Sequence, residues 1–189
     1  TYGGDEGQLL NWSISFGNNP ASYTPPLISS NLPIIVINTN SQSIPDEPKI
    51  MVDMGVIFNG VGNRNYLTDP FNHYNGKIMI EVRGSSSQMF PKKSYGFETC
   101  DLAGTEIDTG FFGFPKESDW ILSANYSDKS LQNNTLAYAL SRSMGYWAPR
   151  TQYVEVMIDG DYKGVYVFME KIKRDNNRID IAKLNPWEN

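Results

Sequence analysis

Short runs with strand periodicity constrain the fold of this 189-residue chain more than any other feature of its sequence. Apolar and polar side chains alternate over 77–82, 151–158 and 164–173. A period of two directs successive side chains to opposite faces, so each run is predicted as a half-buried strand. Asp159-Gly160 joins two of these runs and is a strong signal for a hairpin turn. The pattern therefore predicts a mainly antiparallel sheet.

One segment has helical periodicity instead. Leu136, Leu140 and Met144 recur at four-residue spacing, which predicts a helix over about 129–144 with one apolar face packed on the sheet. Strands followed by one helix and a closing hairpin predict an α+β fold with one principal helix, and exclude a βαβ repeat. The remaining predicted strands are 32–38, 49–58, 91–98 and 178–184, and 119–122 is predicted as a short strand or a turn.

The first 31 residues differ in composition from the rest. Gly, Asn, Ser and Pro are dense over 1–31, which predicts an irregular lead-in or the end of an upstream module. Residues 32–189 are predicted to form one domain, because they are enough to enclose a core. Since the chain begins at Thr1 with no signal peptide before it, a processed or truncated chain is expected.

Composition excludes several classes of function. The formal net charge is −5 and most Lys and Arg residues are scattered, which argues against nucleic acid, since phosphate backbones require clustered cations. The single cysteine, Cys100, allows no internal disulfide, and with one histidine, His73, the chain lacks ligands for a Cys/His zinc site. A serine hydrolase is disfavoured because only His73 could serve as its base. No apolar run reaches the length of a membrane span.

Two neighbouring segments have the residue types that hold phosphate. Residues 83–87 (RGSSS) follow a predicted strand; glycine permits close backbone approach, and N–H and hydroxyl groups donate to phosphate oxygens. Lys92 and Lys93 open the predicted return strand, so one should point into any cleft and the other to solvent. Protein kinases hold phosphates with a lysine beside a phosphate-covering loop. A plain polar hairpin loop with two surface lysines remains open as the alternative.

Two further segments fit a kinase only in part. The helix follows the lysine strand, where kinases place the helix whose glutamate pairs that lysine, but it has no acid in its interior. A strict protein kinase is therefore disfavoured. The apolar run 165–171 contains Met169 and Glu170, and such a run would suit a hinge whose backbone binds adenine.

Taken in order, these segments resemble the CotH (spore coat protein H) kinase-like family, over about 32–184. Arg-Gly-x-Ser-Ser together with Pro-Lys-Lys is the most specific part, and the version here resembles those of secreted Bacteroidetes proteins. The segments that carry the resemblance are 80–88, 90–95, 119–122, 128–131, Asn134, 136–138, 148–151, 164–166, 169–172 and 178–181.

The resemblance implies that 32–189 form the N-terminal lobe of an atypical protein kinase that binds ATP with Mg or Mn. The whole protein would phosphorylate Ser or Thr on secreted or cell-surface proteins and would itself be extracytoplasmic. Its catalytic and metal-binding aspartates are expected in a C-terminal lobe outside this chain, so this chain alone is expected to be inactive. The cofactor-binding residues implied by the match are Arg83, Ser85, Ser86, Lys93 or alternatively Lys92, Asn134, Met169 and Glu170.

One departure from the family pattern motivates an alternative. Asn133 stands where the family commonly has arginine, which favours a non-catalytic, pseudokinase-like binding or structural module at the cell surface. A glycan-associated form of this module is a further hypothesis, because tryptophan rings can stack on sugars. The tryptophans available for such stacking are Trp12, Trp120, Trp147 and Trp187.

Overall fold

The computed structural model describes residues 26–184, and most of its regular structure is β-strand. One α-helix, α1 (Asn133–Ser143), lies between the seventh and eighth strands, and a 3-10 helix, Ser86–Met89, lies between the fifth and sixth. The strands are β1 (Ser29–Ser30), β2 (Ile34–Asn38), β3 (Ile50–Ile57), β4 (Asn65–Tyr66), β5 (Tyr74–Arg83), β6 (Ser94–Cys100), β7 (Asp119–Ser123), β8 (Thr151–Ile158) and β9 (Asp161–Glu170).

Seven strands close into a barrel in the order β2-β3-β5-β6-β7-β9-β8. Every pair of neighbours is antiparallel except β2 and β8, whose parallel pairing runs from Ile34 opposite Glu155 to Ile37 opposite Ile158 and completes the ring. The hairpin predicted at Asp159-Gly160 connects β8 to β9. Strands β1 and β4 form a separate two-stranded sheet. Closure leaves the barrel without the unpaired edges of an open sheet.

The interior is filled by the apolar faces that alternation predicts, together with an aromatic cluster. Ile78 and Ile80 of β5 are fully buried, as their shared face requires. Phe168 of β9 lies at the centre of the aromatic cluster, 5.1 Å from Trp120 of β7 and 5.2 Å from Phe111, measured between ring centroids. Phe111 comes from the connection between β6 and β7, so that connection helps to fill the barrel.

Charged groups are buried where β9 ends and the chain continues. The Glu170 carboxylate is fully buried and receives Arg150 Nη1 at 2.8 Å and Arg178 Nη1 at 2.9 Å. Beside it, Lys173 reaches both Glu117 and Asp119. Buried carboxylates need such partners, since removing one member of a buried pair leaves an uncompensated charge. These ion pairs fasten the segment after β9 to the start of β7.

The predicted α+β fold with a principal helix, resembling a kinase N-terminal lobe, is wrong. The protein is a mostly-sheet, seven-stranded closed barrel with a single short helix of 11 residues. Local alternation identified most of the barrel strands, but it carries no information on closure. Closure depends on the pairing of β2 with β8, which are far apart in sequence.

The helix also differs from its prediction in length and orientation. It begins at Asn133 rather than near 129, because a turn at 129–130 and a bend at Leu131 precede it. Its predicted core-facing residues are exposed: Leu136 by 68%, Leu140 by 59% and Met144 by 65%. Leu131 and Tyr138 instead pack against the outer face of β7 and β9. A four-residue apolar spacing identified the helix but not the face that meets the sheet.

Two further strand predictions differ from the structure. Strand 178–184 is wrong, because this segment has only an isolated bridge between Arg174 and Ile179. The strand predicted over 91–98 begins at Ser94, so both lysines precede it. Of the predicted lead-in, 1–25 lie outside the described residues and 26–31 include β1.

Two of the four tryptophans lie in the part of the chain that the structure describes. Trp120 is fully buried, so its ring is not available to a sugar, and Trp147 is half-buried. Trp12 and Trp187 lie outside the described residues. Among residues 26–184, no helix has the length and apolar character needed to cross a bilayer.

We expect Phe168→Ala to lower the free energy of unfolding by about 3–5 kcal/mol, because it opens a cavity at the centre of the aromatic cluster. Phe168 is 0% exposed, whereas Leu102 is 83% exposed. The matched variant Leu102→Ala should therefore change stability by no more than about 0.5 kcal/mol. Urea denaturation measures both, and equal losses in the two variants would contradict the central role of Phe168.

We expect stability to fall as the pH decreases below about 6.5, in part through His73. Its Nε2 accepts a hydrogen bond from Phe112 N at 3.0 Å, and its ring stacks on Phe112. Burial lowers the pKa of His73, so the folded state favours the neutral ring. The resulting stability is fully present above the ordinary pKa and is lost as pH falls through the lower, folded-state pKa. His73→Asn should have a flatter melting-temperature profile between pH 7.5 and 5; parallel profiles would contradict this role.

Candidate functional site

The candidate site lies at one end of the barrel, where several polar strand ends meet. Antiparallel pairing places Arg83, the last residue of β5, opposite Ser94, the first of β6. It also places Ser123, the last residue of β7, opposite Val167 of β9. Polar residues that follow or precede these strands are therefore brought together even though they are distant in sequence. The connection between β5 and β6 and the segment after β7 form the two sides of a cleft.

The cleft has two adjoining compartments, of about 190 and 280 Å³. Four residues border both: Lys92, Ala124, Asn125 and Tyr126. The smaller compartment is otherwise lined by Arg83, Gly84, Ser87, Phe90, Ser94, Ser123 and Ser127. The larger compartment is otherwise lined by Asp128, Lys129, Leu131 and Val165.

Lys92 occupies the boundary between the compartments. Its Nζ donates to the Val165 carbonyl oxygen at 2.5 Å and lies 4.3 Å from the centroid of the Tyr166 ring. Strand β7 pairs with β9 only from Val167 to Glu170, so the Val165 carbonyl group lies beyond the end of β7. The Lys92 amine reaches β9 in this region, where β7 no longer pairs with it. Burial, and then the nearby Lys129 charge, lower the pKa of the Lys92 amine.

The connection between β5 and β6 covers one side of the smaller compartment. Gly84 has φ of +115°, and a Cβ at this position would lie 2.0 Å from Ser87 Oγ. Gln88 Nε2 donates to the Gly84 carbonyl oxygen and to Asp46 Oδ1, both at 2.6 Å. Phe90 stacks on Tyr126, with ring centroids 4.9 Å apart. These contacts hold the loop over the cleft.

The segment after β7 forms the opposite side. Ala124 N donates to Ser94 Oγ at 3.0 Å, which joins the end of β7 to the start of β6. Lys129 Nζ lies 3.9 Å from the centroid of the Tyr126 ring. Asp128 accepts hydrogen bonds from Ser130 N and Oγ and from Asn133 N, so its carboxylate is used to cap the turns that lead into α1. Those hydrogen bonds, that from Ser130 first, lower its pKa.

Three cations border the cleft without a carboxylate partner. Arg83, Lys92 and Lys129 form no ion pair with any group in the part of the chain that the structure describes. The one carboxylate in the lining, that of Asp128, is occupied by the cap. Concentrated positive charge in a cleft attracts anions. Arginine can also bind carboxylate or phosphate through two parallel hydrogen bonds.

The structure brings together only some of the residues that the sequence singled out. Arg83 and Lys92 line the cleft. Lys93 does not; its amine donates to the Gln88 carbonyl oxygen within its own loop. Ser85 and Ser86 are exposed on that loop without lining the cleft, and Asn134 is exposed on α1.

Met169 and Glu170 lie elsewhere. Both are paired along the backbone with β7, and the Glu170 carboxylate is occupied by Arg150 and Arg178. Neither residue lines the cleft, so the segment proposed as a hinge belongs to the wall of the barrel.

Sequence reasoning missed the residues contributed after β7. Lys129 was predicted as the first residue of the helix, and Asn125 and Tyr126 were not singled out. A polar run that directly follows a short apolar strand was the available signal, because such a run must lie at the end of the sheet. The shared end of β6 and β7, however, is established only by their register.

The described residues supply no cage for a metal ion. Within 26–184, no group of three or more His, Cys, Asp or Glu side chains lies close enough together to bind one. Oxygen ligands for Mg or Mn would therefore have to come from another source.

We expect Gly84→Ala to destabilise the protein by about 1–3 kcal/mol, because alanine is strained at this positive φ and its methyl group would crowd Ser87. Gly96→Ala is the matched control, since Gly96 lacks a positive φ and the nearest atom to its Cβ would lie at 3.5 Å. It should change stability by no more than about 0.5 kcal/mol. Thermal and urea denaturation of both variants test this, and similar losses would show that Gly84 is not specially required.

Comparison with known proteins adds one finding to this geometry. Residues 80–185 match the family described as CotH kinase protein. A search among curated proteins found no match. The matched region begins within β5 and includes every residue that lines the cleft. Because it covers more than half of the 189 residues, the chain belongs to the CotH kinase protein family.

Proposed function

We propose that this chain is the ATP-binding part of a kinase-like CotH protein, and that the cleft beside Lys92 holds the phosphates. The observation that carries the proposal is the set of three cations without carboxylate partners, Arg83, Lys92 and Lys129, around one cleft. A polyphosphate would supply the missing negative charge. The family match over the same residues supports this choice of anion.

The lining also offers the hydrogen-bond donors that phosphate requires. Four serines line the smaller compartment, Ser87, Ser94, Ser123 and Ser127, and of these Ser123 already donates its hydroxyl group to Asn125 Oδ1. Arg83 would bind phosphate oxygens through its planar guanidinium, and Lys92 would act as a point charge between the two compartments. The phosphate groups are therefore assigned to the smaller compartment.

Lys92 rather than Lys93 is assigned to the phosphates. Lys92 borders both compartments, whereas the Lys93 amine is hydrogen-bonded inside its own loop. The two lysines thus form a matched pair for testing, because they are adjacent, carry the same charge and differ in what their amines reach.

Phosphoryl transfer needs groups that the described cleft does not provide. Its only carboxylate is that of Asp128, which caps the approach to α1, and the described residues form no metal cage. A Mg or Mn ion would enter with the nucleotide, bound to its phosphates. We therefore propose that the chain binds ATP without transferring phosphate, and that transfer to Ser or Thr of extracytoplasmic proteins requires acids contributed from elsewhere.

We expect Lys92→Gln to weaken ATP binding by about 10- to 100-fold, which corresponds to loss of a charge-assisted hydrogen bond of about 1.5–3 kcal/mol. Isothermal titration calorimetry of the 189-residue chain with ATP and MgCl₂ measures the dissociation constant. The control variant Lys93→Gln removes the same charge and should change the dissociation constant by less than about threefold. Binding should also weaken as salt increases, since exposed charges are screened.

Equal dissociation constants for the two variants would contradict the assigned site. Absence of ATP binding by the unaltered chain would favour the alternative, a pseudokinase-like module without nucleotide. Arg83→Gln provides an independent check, because Arg83 approaches the smaller compartment from β5 rather than from the lysine loop.

A further inference from the structure

The ten lysines of the chain, all within the described residues, fall into two groups. Five form ion pairs with carboxylates: Lys49, Lys77, Lys163, Lys171 and Lys173. Burial acts to lower the pKa values of Lys49 and Lys173, but their carboxylate partners outweigh it, raising the pKa of Lys49 and raising that of Lys173 to about 12. Lys49 and Lys173 therefore keep their protons and are poor nucleophiles. The group without an ion pair in 26–184 consists of Lys92, Lys93, Lys116, Lys129 and Lys183.

Lys92 differs from the other unpaired lysines in its surroundings. Lys116, Lys129 and Lys183 are exposed, and Lys93 donates to the carbonyl oxygen of Gln88. Lys92 is half-buried and lines both compartments of the cleft. Lys92 is therefore both partly buried and accessible to a small molecule in the cleft.

The same surroundings raise the fraction of the Lys92 amine that is neutral. Burial, and then the Lys129 charge, lower the pKa of Lys92, and these effects outweigh Glu155, which acts in the opposite direction. The amine donates to the Val165 carbonyl oxygen. A neutral amine that donates one hydrogen in this way keeps its lone pair free to attack an electrophile.

Arg83 gives the same cleft a means of selecting the electrophile. It lines the smaller compartment together with Lys92, and no carboxylate of the described residues pairs with it. A phosphate bound by Arg83 and the neighbouring Ser87 and Ser94 hydroxyls would hold its molecule next to the Lys92 amine. Proximity of this kind raises the rate of a reaction by converting it to an intramolecular one.

We propose that Lys92 is a covalent modification site for small phosphorylated aldehydes. The proposal shares the anion-binding cleft of the proposed function and extends it to a second class of ligand. The neutral amine attacks the carbonyl carbon while the carbonyl oxygen takes up a proton, which gives a carbinolamine. Loss of water then forms the C=N bond. One amine and one aldehyde thus yield one imine and one water, with no oxidant or reductant consumed.

Labelling with pyridoxal 5′-phosphate, trapped with borohydride and located by peptide mass spectrometry, tests the proposal on the unaltered 189-residue chain. At neutral pH, we expect label at Lys92 to exceed that at any other lysine several-fold, because the cleft holds the phosphate beside this amine and the pKa of Lys92 is lowered. Lys92→Arg should remove this label, and Lys93→Arg should leave it unchanged. Dominant label at Lys93, or label spread evenly over the exposed lysines, would overturn the proposal.

A second comparison separates phosphate binding from amine reactivity. Pyridoxal has the same aldehyde without the phosphate, so Arg83→Gln should reduce labelling by pyridoxal 5′-phosphate several-fold while leaving labelling by pyridoxal nearly unchanged. An equal effect on both reagents would contradict selection by Arg83. Circular dichroism of each variant identifies any loss of folding, and the labelling pattern of the unaltered chain does not depend on the variants.

Competition with ATP distinguishes this proposal from the proposed function. If ATP neither binds nor protects while Lys92 is labelled selectively, the nucleotide assignment fails and the modification site stands. If ATP binds in a Lys92-dependent manner while aldehyde labelling is unselective, the modification site fails and the nucleotide assignment stands.

Discussion

Parallel pairing between β2 and β8 is the contact on which the rest of the structure depends. Without it, the same strands would form an open sheet with β2 and β8 as unpaired edges and one face of the aromatic cluster exposed. With it, the apolar sides of all seven strands face one interior, and strand ends that are distant in sequence meet at the two ends of a barrel. The cleft is a consequence of this closure, since its two sides come from the connection after β5 and the segment after β7.

The two ends of the barrel differ in how their charges are balanced. At the end where β7 begins and β9 finishes, Asp119 and Glu170 are buried, and each is matched by lysine or arginine. At the other end, where β7 finishes, Arg83, Lys92 and Lys129 surround a cleft with one carboxylate that is already used in capping. The first arrangement stabilises the fold, because buried carboxylates are compensated. The second leaves positive charge free for a ligand, which is why binding is assigned to that end.

Local periodicity in the sequence was sufficient to predict individual strands and their connections. Alternation over 77–82 identified β5 and its buried face correctly, and Asp159-Gly160 identified the hairpin between β8 and β9. Closure could not be predicted in the same way, because β2 and β8 are far apart in the sequence and their pairing leaves no local sequence pattern. The predicted orientation of α1 was wrong for a related reason. Leu136, Leu140 and Met144 share a face of the helix. The contacts of Leu131 and Tyr138 nevertheless decide which face meets the sheet.

The same distinction applies to the residues that the sequence singled out for phosphate binding, a role that stays a prediction. From the motifs at 83–87 and 92–93, Arg83 and Lys92 line the cleft. Alternation along a strand predicted only that one of Lys92 and Lys93 would point into a cleft, and the strand begins only at Ser94. Both lysines therefore lie in irregular backbone, where side-chain direction follows from the turns of the loop rather than from a period of two. One amine then satisfies Gln88 within the loop, while its neighbour crosses to Val165 and becomes the charged group between the two compartments.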